Sequence, residues 1–304
     1  MRYAYYTGCV AEESAAELDY STQRVCEKLG IKLEKMESAS CCGAGDIDEA
    51  NIDLSRGLNG RTLALAERDG LDIITICNVC TLTLRKVNRD LRENPEIMEK
   101  TNKVLNEIGM TYKGGVEVTH FLWVLARDFG IDRLKAFVKR PLTGLRVAPF
   151  YGCQILRPAA ELGFEDPYNP TSLENIITAL GGEPVDYAGK TKCCAFLISL
   201  AREKTASAVL AQQLWDGKSA GADCMVTPCP LCHVSLDAFQ VMAEKHLGKS
   251  IRMPILHLPQ LVGLAIGLEP SELKLSRHMV SVDGVLAKLR GKTPAGAISK
   301  APGT

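Results

Sequence analysis

The sequence predicts an α/β protein made of two duplicated domains, each a small parallel sheet flanked by helices. Three observations carry that prediction. The cysteine pattern of the first half recurs in the second, short β-type runs alternate with helix-length segments in both halves, and cysteines fall at the ends of the expected strands.

The repeat is read first because it organises everything else. Cys9 is followed by the adjacent pair Cys41-Cys42 and then by Cys77 and Cys80 in CNVC. Cys153 is followed, after a somewhat longer interval, by Cys193-Cys194 and then by Cys229 and Cys232 in CPLC. The stretch between the vicinal pair and the CxxC has the same length in both halves. The sequence between the cysteines repeats as well: YAYYTGC answers VAPFYGC, EKLGIKLEKM answers TALGGEPVDY, and CNVCTLTL answers CPLCHVSL. Each half closes with an apolar segment behind a histidine, VTHFLWVL at His120 and ILHLPQLV at His257. The boundaries that follow are a first domain over 1–138, a second over 139–268, and a C-terminal extension over 269–304. The last stretch, RGKTPAGAISKAPGT, is rich in Gly, Pro, Ala and Lys and reads as a flexible tail.

Candidate strands are RYAYY, IKLEKM and DIITI in the first half and RVAPFY, EPVDY and CMVTP in the second. Helix-length segments lie between them, such as AAELDYSTQRVCEKLG, whose Gly30 suits a C-terminal cap, and LNGRTLALAERDG. This alternation predicts parallel sheets. Cys9, Cys77, Cys153 and Cys229 each come at or just after a strand end. Open α/β sheets bind ligands in the crevice at their strand C-termini, so the cysteines are expected to gather there.

Composition narrows the function. A chain of 304 residues with 46% hydrophobic content fills a sizeable core. Lys plus Arg equals Asp plus Glu at 36 each, which gives no net field toward nucleic acid or an anionic membrane. There is no apolar run of signal-peptide or membrane-spanning length, so a cytoplasmic location and no transmembrane segment are expected. Twelve cysteines in a reducing compartment point to metal binding or redox chemistry rather than disulfides.

Thiolates are soft ligands that select zinc, copper(I) or iron–sulfur clusters. A structural zinc site uses four ligands, commonly two CxxC-type pairs. Each half offers one CxxC, one vicinal pair and a lone cysteine, five sulfurs in all. Adjacent Cα atoms lie about 3.8 Å apart with diverging side chains, which suits different irons of a cluster better than one small ion. Zinc and metal-free dithiols are the alternatives. Cys26 and Cys224 are expected outside the site, because the repeat aligns them with Ile177 and Ile73, apolar core positions.

At these residues the chain resembles the B subunit of heterodisulfide reductase, the family marked by two cysteine-rich CCG domains, over about residues 1–268. The resemblance implies two non-cubane [4Fe-4S] clusters, one on Cys9, Cys41, Cys42, Cys77 and Cys80, the other on Cys153, Cys193, Cys194, Cys229 and Cys232. It implies an oxidoreductase acting on sulfur groups, with two-electron disulfide/thiol or sulfane-sulfur chemistry at the clusters. The chain has no ferredoxin-type CxxCxxCxxxC run and no GxGxxG after a strand. The resemblance therefore implies two partners, a ferredoxin-like iron–sulfur C subunit and a flavin-containing A subunit. The second vicinal pair leads into CCAFLIS, where the methanogen form carries a glycine-rich loop, and Phe196 and Leu197 would narrow the path to a bulky substrate. The chain is accordingly more similar to the B subunits of bacterial heterodisulfide reductase-like complexes, which implies sulfur oxidation with a lipoate-binding carrier protein as partner. The alternatives are the coenzyme M–coenzyme B enzyme of methanogens and the electron-transfer CCG subunit of a lactate, glycolate or succinate oxidoreductase.

Outside the cysteines, Lys192 beside the second pair and Arg157 beyond Cys153 are candidates to hold an anionic thiol, set against ordinary solvated surface. His233, after the second CxxC, is a candidate proton donor to a nascent thiolate, set against a cap or surface role because the first copy has Thr81 there. His120 and His257 are expected either to hydrogen-bond a cluster or loop, or to start an apolar helix.

Overall fold

The computed structural model describes residues 1–291. The first half builds a four-stranded parallel sheet from β1 (Arg2–Tyr6), β2 (Lys32–Lys35), β3 (Ile73–Thr75) and β4 (Val118–His120), in the order β2-β1-β3-β4. The second half repeats it with β5 (Arg146–Pro149), β6 (Glu183–Pro184), β7 (Cys224–Thr227) and β8 (Ile255–His257), in the order β6-β5-β7-β8. The central strands β3 and β7 are buried along their whole length, as parallel strands covered by helices must be.

The six expected strands are all present. The fourth strand of each sheet was not expected: VTH and ILH are three residues long and merge into apolar helices, so no alternation marks them.

The helices that matter for the site are α1 (Ala16–Leu29), α2 (Ile52–Arg68), α3 (Asn78–Glu93), α4 (Glu203–Ser219), α5 (Pro230–Ala238), α6 (Leu258–Ala265) and α7 (Asp283–Arg290). Gly30 ends α1 in the left-handed conformation at φ 71°, the cap the sequence called for. Helix α2 begins at Ile52, ahead of the expected LNGRTLALAERDG, with Asn51 capping it by accepting from the Leu54 N–H.

The two sheets do not enclose separate cores. Tyr5, Leu18 and Phe121 of the first half lie in one buried cluster with Val147, Leu256 and Leu261 of the second, and Ala4 and Leu63 share another with Ala148 and Met225. Helix α1 packs against α6 across this boundary. Within the extension, Leu273, Leu275, Val282 and Val285 are buried against the body of the protein. Residues 292–304, most of the stretch read as a flexible tail, lie outside the described residues.

Candidate iron–sulfur site

In each half, the chain leaves the central strand through a glycine and a lone cysteine, and leaves the next strand into a helix capped by the first cysteine of CxxC. Cys77 caps α3 and Cys229 caps α5, which places Cys80 and Cys232 in the first helical turn. Helix N-termini carry partial positive charge, so both CxxC pairs are set where a thiolate is favoured. Pro230 at the first position of α5 fits a site where its missing N–H costs nothing.

The vicinal pairs come in on loops tied down by side chains. In the first half, the Asn59 amide donates to the Cys42 carbonyl at 2.9 Å and Tyr6 Oη donates to the Ser40 carbonyl at 2.7 Å. In the second, Ser235 Oγ donates to the Cys194 carbonyl at 2.6 Å. Gly43 follows the first pair at φ 72°, and Ala195 follows the second at φ 61°, so the loop keeps its left-handed turn even where alanine stands in place of glycine.

All ten repeat cysteines converge, and none forms a disulfide. Cys9 Sγ lies 3.4 Å from Cys41 Sγ, and Cys42 Sγ lies 3.6 Å from Cys80 Sγ. Cys41 interacts electrostatically with Cys42, Cys80 with Cys77, and Cys77 with Cys229 of the other half. From Cys229 the contacts run to Cys232, then Cys194, Cys193 and Cys153. The interacting thiols thus form a row from Cys9 to Cys153, palindromic about Cys77 and Cys229, and the middle six share one buried cluster. Asn78 reinforces the crossing, its side-chain amide donating to the Tyr151 carbonyl at 2.7 Å.

Sharing hydrogens along this row separates the thiols electrostatically. Hydrogen bonds with Cys41 and Cys80 hold Cys42 down at about 3, while the hydrogen bond to Cys42 and burial push Cys41 up. Cys193 is held at about 2 by Cys153 and Cys194. Burial opposes ionisation of Cys229, yet hydrogen bonds from Cys232 and Cys77 keep it well below the usual thiol range. Backbone N–H groups bear on the outer sulfurs of both pairs: Ala195 donates to Cys193 Sγ at 3.2 Å and favours its charge, and Gly43 donates to Cys41 Sγ at 3.4 Å, partly offsetting the upward push there.

The pockets fit a thiolate-held cluster on independent grounds. A Cβ at Gly8 would meet Cys80 Sγ at 3.0 Å, and one at Gly152 would meet Cys232 Sγ at 2.8 Å. The glycine before each lone cysteine is therefore a cradle that admits the last sulfur of its CxxC. The YTGC and FYGC motifs displayed these glycines in the sequence, but not what they make room for. The donor set is sulfur alone, the soft set that selects iron–sulfur chemistry, zinc or copper(I).

Cys26 and Cys224 lie at 1% and 0% exposure in the apolar core, apart from the row. Burial pushes both thiols up, as expected of packed, inert cysteines. Lys192 is exposed next to Cys193. Arg157 donates to the Thr191 carbonyl at 2.6 Å and lowers Cys193 through its charge. His233 is buried, with its ring against His257 and His278. His120 Nδ1 accepts from the Leu122 N–H at 3.0 Å, capping the helix that follows β4, and burial pushes its ring down to about 4.

Leu197 and Ile198 line the cleft beside Cys193 and Cys194, and further exposed apolar side chains follow each vicinal pair in the sequence. Leu197, Ile198 and Leu200 are exposed, Leu200 at 99%, and Ile52 and Leu54 are exposed just beyond the first vicinal pair's loop. No helix among the described residues is long and apolar enough to cross a membrane.

Comparison with known proteins agrees with this geometry. The cysteine-rich domain family CCG matches residues 3–85 and 147–237. The 8-methylmenaquinol:fumarate reductase membrane anchor subunit of Wolinella succinogenes is 39% identical over 278 residues, 91% of this chain and 96% of that protein. The B subunit of a ferredoxin/F(420)H(2)-dependent CoB-CoM heterodisulfide reductase of Methanosarcina acetivorans is 33% identical over 93% of this chain and 95% of its own length. A protein of Archaeoglobus profundus described as similar to the heterodisulfide reductase B subunit is 32% identical over 90% and 93%. A crystal structure of a hypothetical protein from Helicobacter pylori shares the fold at a TM-score of 0.75 and 17% identity, over 92% of this chain and 52% of that one. Cysteine-rich domains of this kind, in relatives that are reductase subunits, imply iron–sulfur clusters. With both halves matched and relatives aligned along nine-tenths of its length, the chain belongs to the family of paired CCG-domain proteins that includes the heterodisulfide reductase B subunits.

Proposed function

We propose that the chain is the iron–sulfur electron-transfer subunit of a multi-subunit oxidoreductase. One non-cubane [4Fe-4S] cluster sits on Cys9, Cys41, Cys42, Cys77 and Cys80 and a second on Cys153, Cys193, Cys194, Cys229 and Cys232. The observation that carries the proposal is the buried cluster in which Cys42, Cys77 and Cys80 of one half meet Cys194, Cys229 and Cys232 of the other. Clusters bound there supply one-electron redox chemistry. The chain's own residues orient the thiols, favour their ionised form at the helix N-termini, and keep water from the buried middle of the row. Cys9 and Cys41 at one end and Cys193 near the other are exposed, so electrons enter and leave there. The exposed apolar side chains of Ile52, Leu54, Leu197, Ile198 and Leu200 are where partner subunits dock. The partners are a ferredoxin-like C subunit with a flavin-containing A subunit, or the quinol-linked, fumarate-reducing partners that the name of the Wolinella relative points to.

A second reading, sulfur chemistry at the second cluster, is favoured by the cleft that Cys153, Cys193, Cys194 and Phe196 line, with Arg157 beside Cys193. A disulfide bound there takes two electrons and two protons and leaves as two thiols; run in reverse with a carrier-bound thiol or sulfane sulfur, the same site serves sulfur oxidation in the cytoplasm, with a lipoate-binding protein as donor.

Anaerobically purified protein is the test, with about eight irons and eight acid-labile sulfides expected per chain. Sulfur-coordinated zinc without sulfide would end both readings. Adding thiols to the oxidised complex separates them: an EPR signal indifferent to every thiol supports electron transfer alone, and a perturbed one supports sulfur chemistry.

A further inference from the structure

Behind α5, apart from the row of thiols, three histidines and two carboxylates meet in the interior. We propose that Glu17, His233 and His257 form a binding site for one divalent transition-metal ion of the zinc class, which clamps α1 of the first half to α5 and β8 of the second.

Each of these residues offers a ligand atom within 4.8 Å of the other two. Their exposures are 5%, 4% and 0%, so the site is closed to bulk water. Neighbouring ligands on a tetrahedral zinc, with bonds of about 2.0–2.1 Å, stand about 3.4 Å apart. His257 Nε2 and Glu17 Oε1 are already 3.2 Å apart. The rings of His233 and His257 are stacked 3.7 Å apart, and His233 Nε2, which lies 3.2 Å from the Ile255 carbonyl oxygen, must turn from it to join the set. Both imidazoles are buried, so neither ring is hydrated by bulk water.

A surrounding shell holds the three in place, as metal sites require. Arg277 Nε donates to Glu17 Oε2 at 3.1 Å, leaving Oε1 turned toward His257. His278 Nδ1 lies 3.0 Å from His233 Nε2, and its other ring nitrogen lies 3.0 Å from Gln260 Oε1. That same oxygen accepts from the His257 N–H at 2.9 Å. The overlapping set of His233, Asp237 and His278 is the weaker choice, because Asp237 already accepts from the Met279 and Val280 N–H groups at 2.7 and 3.0 Å.

The site has no counterpart in the first half. The position answering His233 is Thr81, whose hydroxyl is engaged with Thr75 and the Cys77 carbonyl. Because His233 follows Cys232 on α5, the ion fixes the helix that carries two ligands of the second cluster.

The test uses the full-length, anaerobically purified protein loaded with its clusters, equilibrated with zinc(II) alone and desalted. About one zinc per chain is expected, with only nitrogen and oxygen neighbours at the zinc X-ray absorption edge. Glu17→Gln with His257→Gln lowers bound zinc at least tenfold while iron and sulfide per chain stay unchanged. Less than about a tenth of an equivalent in the parent protein, sulfur neighbours, or zinc retained by the double variant overturns the proposal. The absorption spectrum of the parent decides the matter if the variant fails to fold. Missing iron and sulfide would count against the cluster reading, not against this site.

Discussion

Replacing Gly152 by alanine tests the cluster pocket at its tightest point. The new Cβ would stand 2.8 Å from Cys232 Sγ, where ordinary contact begins at 3.4 Å. The sulfur must therefore retreat by about 0.6 Å, three times the roughly 0.2 Å within which metal–ligand distances are held. The substitution also carries a backbone cost of roughly 1–2 kcal/mol, because Gly152 sits at φ 75°. Gly30→Ala isolates that second term: its φ is 71°, and a Cβ there meets nothing within 4 Å. Both variants should lose similar stability in urea, but only Gly152→Ala should lose iron and sulfide, down to about half the parent content. Gly8→Ala, whose Cβ would meet Cys80 Sγ at 3.0 Å, should empty the other pocket instead. The assay is iron and sulfide per chain, with EPR to show which cluster survives. Full metal content in Gly152→Ala, or equal loss in Gly30→Ala, would refute the cradle argument.

Further outcomes are expected from other parts of the structure. Ala195→Gly relieves a left-handed alanine and should stabilise the protein by roughly 1 kcal/mol in chemical denaturation, with cluster content unchanged. Cys26→Ala and Cys224→Ala should each cost about 1 kcal/mol and remove no iron, since both thiols only fill the core. His120 is held at about 4 by burial. Its unfolded value is near 6.5, so the folded chain binds fewer protons between those values, and stability present at pH 7 is lost as pH falls toward 4. Between pH 7 and pH 5 the loss from this group amounts to about 2 kcal/mol, and His120→Asn, which keeps a capping acceptor for Leu122, should flatten the urea midpoint over that range by the same amount. Leu200→Asp, at a position 99% exposed, should leave the melting temperature unmoved and weaken co-purification of partner subunits. Unchanged complex formation would remove Leu200 from the docking surface.

Much of this was legible in the sequence, for particular reasons. The lone cysteine and the CxxC of each half are fixed by a strand end or a helix start, so the duplicated α/β architecture could be read directly, and the same spacing is what assigns five thiols to each half. Burial of Cys26 and Cys224 followed from aligning each with an isoleucine. The short strands β4 and β8 escaped notice, since three residues cannot show alternation. The Cys77–Cys229 contact also escaped, because a pattern within each half carries no information about how the halves face one another. The same holds for Glu17, one of three acidic residues on its helix, whose neighbours His233 and His257 come from the far half of the chain.

The interleaved core has a consequence for how such a chain arose. Because Leu18 and Phe121 are covered by residues of the opposite half, a solitary half would present a broad greasy face to solvent. An interleaved core of this kind is what joining the two members of a symmetric pair in one chain would produce. The halves nonetheless differ, Thr81 standing where the other has His233, an asymmetry that two copies of one polypeptide could not carry.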